Sequence, residues 1–183
     1  MSAGRLRPLD PPKGKRILGL DISSVSCGYA VFEDEDLIIR GHFRQSGDDH
    51  GEKLANFGEW LTRTLGQIQP THVLFEMPYP SRKANTYGVL MLYVAEVLRV
   101  HWLVLEHEVP DSHRIGPRIV KSTLKVPKGQ DHLDNKRIMV RYINKLYGLR
   151  LKFEERDKKK RVSQDDEADA IALVLAARKL GVV

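Results

Sequence analysis

Apolar residues recur along this chain in two rhythms, and each change of rhythm marks an element. Residues 17–23 and 28–33 are short, dense apolar runs of strand type, joined by a turn of small residues. A third strand-like run, residues 36–44, follows the acidic turn EDED. Leu54, Phe57, Leu61 and Leu65 then recur at helical spacing, which predicts a helix over residues 52–65. The stretch THVLFEMP reads as a short buried strand stopped by Pro78. Tyr87, Leu90, Met91, Val94, Val97 and Leu98 mark one face of a helix over residues 85–100, and HWLVLEHEV (101–109) reads as a further strand. Helical patterns occupy residues 134–147 and 166–179.

Three consecutive strands imply antiparallel pairing, and the later alternation of strand and helix implies parallel crossovers. A central mixed five-stranded sheet flanked by helices satisfies both, so the expected class is α/β. Residues 1–15, with Pro8, Pro11, Pro12 and Gly14, read as a flexible basic arm, and residues 16–183 as one domain. At 183 residues the chain is long enough for a real core, and no internal repeat is visible.

Composition narrows the class. No run reaches the roughly 20 apolar residues that span a membrane, so no membrane role is expected. The N-terminus MSAGRLRPLDPPKGKR lacks an apolar segment of signal-peptide type, so a cytoplasmic protein is expected. The single cysteine, Cys27, has no internal partner for a disulfide and reads as a small buried apolar residue. The net charge of +6 suits a nucleic-acid partner, and its distribution says more. RIGPRIVKSTLKVPK (114–128) carries five basic residues and no acid, and RLKFEERDKKKR (150–161) carries seven basic residues against three acids.

Four carboxylates stand where ionised groups are costly. Asp21 interrupts the apolar run ILGLDISSVSCGYAVF, and Glu76 ends the strand HVLFE. In SQDDEADAIALVLAARK, Asp166 and Asp169 are three apart and share a helix face at the start of an apolar helix. Asp165 and Glu167 read as solvated neighbours, with Asp165 able to exchange roles with Asp166. Acids at a strand start, a strand end and a helix start all border one sheet. Converging carboxylates repel and need cations, and hard oxygen donors suit Mg²⁺ or Mn²⁺. The spacing of Cys and His fails the requirements of zinc: HEVPDSH places His107 and His113 six apart. Two divalent ions held by such acids can drive phosphodiester hydrolysis.

These motifs resemble the RuvC family of Holliday junction resolvases, which are ribonuclease H-like nucleases. LGLDISSVSCGYAVF is similar to the family's first strand, with Asp21 in the catalytic place. VLFEMPYPSRKANTYGVLMLYVAEVL resembles the segment of the second acid and the long helix after it. IGPRIVKSTL and DNKRIMVRYI are similar to the basic DNA-binding region, and DDEADAIALVLAAR to the closing acidic motif. The resemblance implies a ribonuclease H-like fold and a homodimer that binds a four-way junction and nicks two symmetric strands in recombination, repair or replication. It also implies that Asp21, Glu76, Asp166 and Asp169 hold two Mg²⁺ ions per site, with Mn²⁺ able to substitute. Tyr79 falls where the family has a junction-probing aromatic, and Lys121 and Lys136 fall on basic positions of the family. Arg82 and Lys83, in the loop after Tyr79, and Arg118, in the basic stretch, are expected to contact the same DNA backbone. The basic arm and the 154–161 insertion have no family counterpart.

Two other classes share parts of this pattern. Actin- and Hsp70-like ATPases carry a similar first loop but need a second phosphate motif and a second domain, for which 183 residues leave no room. Other ribonuclease H-like nucleases, acting on flaps, branched DNA or RNA–DNA hybrids, would use the same acids. A junction-binding module without catalysis would have no use for four clustered carboxylates, whose mutual repulsion destabilises a fold.

Overall fold

The computed structural model describes residues 8–23, 25–77, 92, 94–96, 111–154 and 162–183. Strands β1 (Arg16–Ile22), β2 (Ser26–Glu33) and β3 (Asp36–Arg44) form an antiparallel meander. Helix α1 (His50–Ile68) then crosses to β4 (His72–Glu76), which lies parallel to β1, and β5 (Asp111–Ile115) lies parallel to β4. The sheet order β3-β2-β1-β4-β5 puts β1 at the centre. Helices α2 (Pro117–Leu124), α3 (His132–Tyr147) and α4 (Asp165–Lys179) follow, with a two-stranded ribbon of β6 (Phe153–Glu154) and β7 (Val162–Ser163) before α4.

The period-2 alternation of each strand sorts its side chains between two cores. Leu18 and Leu20 of β1, Val31 of β2, and Val73 and Phe75 of β4 pack with Phe57, Leu61, Leu65 and Ile68 of α1. Leu92 and Ala95, in a helical stretch, are buried in the same cluster. Ile17 of β1, Ala30 and Phe32 of β2, and Leu74 of β4 face the opposite core, shared with α2, α3 and α4. Helix α4 is buried nearly all round, from Ala168 to Ala177, because it lies between the sheet and the other two helices.

The mixed five-stranded sheet expected from the pattern is present, with two adjustments. The described fifth strand is Asp111–Ile115, while the expected strand at 101–109 lies outside the described residues. Helix α2 lay unrecognised inside the basic stretch, although Pro117 at its first turn and the buried pair Val120 and Leu124 are helical signals. The helix expected over 85–100 falls mostly outside the described residues; residues 92 and 94–96 are helical. In the N-terminal segment, the Leu9 amide donates to the Gln67 carbonyl (2.9 Å), and Arg16 Nη1 donates to the Asp10 carbonyl (2.9 Å). Among the described residues no helix is long and apolar enough to cross a membrane.

Candidate active site

Strand parity explains why a carboxylate stands in an apolar strand. Asp21 shares the face of β1 with Ile17 and Gly19, and Glu76 shares that of β4 with Leu74, so both point toward α4. They sit at the C-terminal ends of adjacent parallel strands, where side chains of α/β sheets open into a crevice; Asp21, expected at a strand start, is the sixth residue of the seven in β1. Glycines bring α4 close enough to add its own acids. A Cβ on Gly19 would lie 2.7 Å from Val174 Cγ2 and 2.9 Å from the Ala170 carbonyl oxygen. On Gly28 it would lie 2.0 Å from the Asp166 carbonyl oxygen. Only glycine permits this approach.

The result is a cavity of about 890 Å³ lined by Asp21, Glu76, Asp166 and Asp169 together with Arg118, Lys121 and Lys136. All four acids expected to converge do so, and three of the expected basic residues stand against them. Lys128, His132 and Asn135 also line the cavity; Asn135 lies in the DNKRIMVRYI stretch, and His132 lies in no motif. Tyr79, Arg82 and Lys83 lie outside the described residues.

The three consecutive acids at the start of α4 take separate partners. Lys136 Nζ donates to Asp165, the Ser26 hydroxyl donates to Asp166, and Glu167 is bound by Arg40 and His42. The expectation that Asp165 and Glu167 are solvated is therefore corrected: they are 7% and 2% exposed. Both are anchored by cations from other elements, which offsets the cost of burying them. Asp166, rather than Asp165, lines the cavity.

Crowding and burial push the carboxyls toward their protonated forms. Asp21 is held well above the usual carboxylate range, by burial first and then by Glu76 and Asp166. Burial, with Asp169 adding to it, pushes Glu76 up to about 7. Asp169 is pushed up to about 8 by burial and then by Asp21. The Asp21 and Glu76 carboxyls interact directly, and the neighbouring Glu76 adds to burial in disfavouring the charged form of Asp21. Asp166 is raised by burial, against which the Ser26 hydroxyl stabilises its charged form. Lys136 loses solvation on burial, yet the carboxylates around it, Asp165 first, hold it above its ordinary range.

Among the described residues, no three His, Cys, Asp or Glu side chains already close around a single metal position. The donor chemistry nonetheless fits a hard divalent cation: carboxylate oxygens from three elements, crowded so that their charged forms are disfavoured until a cation relieves the repulsion.

The mixed five-stranded sheet flanked by helices is an α/β fold shared with solved structures of RuvC and other Holliday junction resolvases. A solved complex of Thermus thermophilus RuvC with a Holliday junction substrate superposes with a TM-score of 0.64 at 16% identity, covering 92% of this chain and 95% of that one. The yeast mitochondrial Holliday junction resolvase gives a TM-score of 0.59 at 17% identity, over 96% of this chain and 81% of that one. Fowlpox virus resolvase bound to junction DNA gives 0.54 at 15% identity, over 92% and 99%. No protein-family model and no curated protein matches the sequence. At these identities the likeness establishes the fold.

Proposed function

We propose that this chain is a metal-dependent, structure-selective DNA endonuclease that resolves four-way junctions by paired symmetric nicks. The observation that carries the reading is the convergence of Asp21, Glu76, Asp166 and Asp169 in one cavity beside Lys121 and Lys136, on a fold that structural relatives use for junction resolution. Asp21, Glu76, Asp166 and Asp169 would hold two Mg²⁺ ions, or Mn²⁺ in their place. When bound, such ions would activate the attacking water and stabilise the departing 3′ oxygen.

The rest of the work falls to the chain. Buried strand ends and the glycine-permitted approach of α4 fix the four carboxylates before substrate arrives. Lys121 and Lys136 balance the negative charge of the scissile phosphate close to the acids, and Arg118 at the first turn of α2 suits the neighbouring backbone phosphates. Two symmetric nicks call for two acid clusters, so the reading takes the working form as a homodimer with one cluster per subunit.

The test is a panel of labelled substrates with Mg²⁺: a four-way junction, linear duplex, a flap and an RNA–DNA hybrid. Symmetric nicking of the junction in preference to the rest supports the resolvase. Equal cutting of flap or hybrid moves the chain to a general ribonuclease H-like nuclease, and no cutting of any substrate contradicts the reading.

A further inference from the structure

Glu167 lies in sequence between two of the proposed metal-holding acids, yet it takes no part in lining the cavity. Its side chain is buried against the outer strand of the sheet. Arg40 Nη1 forms an ion pair with it, His42 Nδ1 lies 3.0 Å from its Oε1, and Gln164 Nε2 donates to the same oxygen at 3.0 Å. Three groups therefore converge on one carboxylate, two of them from β3. That strand is separated from β1, which carries Asp21, by β2.

Successive residues of a helix diverge by about 100°. Asp165, Asp166 and Glu167 thus leave α4 in three directions, toward Lys136 on α3, Ser26 on β2, and Arg40 and His42 on β3. Gln164, at the N-cap position, makes no side-chain capping bond, so these links are the side-chain ties that join the first turn to the rest of the fold. A carboxylate at the rim of a helix moves about 1 Å for every 10° of rotation. A displacement of that size at reacting groups can cost on the order of a hundredfold in rate.

We propose that Arg40 and His42 are positioning residues for the active site, holding Asp166 and Asp169 in place through Glu167. The inference rests on the nuclease reading and extends it to a strand that contributes nothing to the cavity lining. A purely structural ion pair is the alternative, and it would affect stability alone.

The experiment compares wild type with Arg40→Met, His42→Asn, the double variant, and Arg40→Lys as the conservative change. Melting temperature, junction binding in EDTA, Mn²⁺ binding by electron paramagnetic resonance, and kcat and KM of junction cleavage are measured. The double variant is expected to bind junction within about twofold of wild type. It should need about tenfold more Mn²⁺ for half-occupancy and lose about 10–100-fold in kcat at unchanged KM. Arg40→Lys should recover most of that loss. Wild-type Mn²⁺ affinity and kcat in the variants would overturn the inference, as would a loss that follows melting temperature alone and is shared by Arg40→Lys. Should the double variant fail to fold, the two single variants decide by the same readouts. A wild type that neither binds Mn²⁺ nor cuts removes the nuclease reading and this inference together.

Discussion

The backbone of Asp166 rests directly on Gly28: a Cβ at Gly28 would fall 2.0 Å from the Asp166 carbonyl oxygen. Gly28 is paired across the sheet with Asp21, so one glycine sets the spacing between a strand acid and a helix acid. Because the obstructing atom is backbone, no rotamer change relieves the clash. Gly28→Ala should cost about 2 kcal/mol of stability through overpacking. It should also lower metal affinity, because α4 must lift away. Thermal melting and Mn²⁺ titration check this; an unchanged Mn²⁺ affinity in a folded variant contradicts it.

Metal-free stability should depend on pH through Asp169. Its carboxyl is raised from an ordinary value of 3.8 to about 8. The folded state therefore favours the protonated form, and this stabilisation is complete below about pH 4 and lost as pH rises through 8. Glu76, raised to about 7, acts in the same direction. In EDTA, Asp169→Asn should melt above wild type at pH 8, with the gap closing toward pH 5. Mg²⁺ should raise the wild-type melting temperature at pH 8 and leave Asp169→Asn little changed. A gap that is constant with pH would remove the carboxyl from the crowded cluster.

Lys121 lines the cavity from the last turn of α2. Loss of one phosphate contact should reduce the slope of log binding constant against log salt by about 0.9. Lys121→Ala should therefore bind junction more weakly at low salt and with a shallower salt dependence. An unchanged slope would take Lys121 out of the phosphate contacts.

Much of this arrangement was legible in the residues, for reasons that can be stated. Asp21 and Glu76 were conspicuous because strand patterning makes a carboxylate on the core side costly, and parity then put both on the α4 face. Asp166 and Asp169 were legible from helical spacing before an apolar run. Asp165 and Glu167 were misread, because their partners Lys136, Arg40 and His42 are 29, 127 and 125 residues away and no local pattern links them. Helix α2 was hidden because it is short, lies within a basic stretch, and buries only Val120 and Leu124. The closeness of β2 to α4 rests on Gly28, whose role emerges only when the two elements meet.

The central claim, that one acid cluster cuts junction DNA, is tested most directly by Asp21→Asn on a labelled four-way junction, with Mg²⁺ and with EDTA. Asparagine keeps the size of the side chain and one oxygen donor while removing the charge that would hold a cation. The account predicts symmetric nicking by wild type in Mg²⁺ and none in EDTA. The variant should still bind the junction but lose cleavage by at least about a hundredfold, as expected when a group that organises the reacting atoms is removed. Cleavage by Asp21→Asn at the wild-type rate would contradict it.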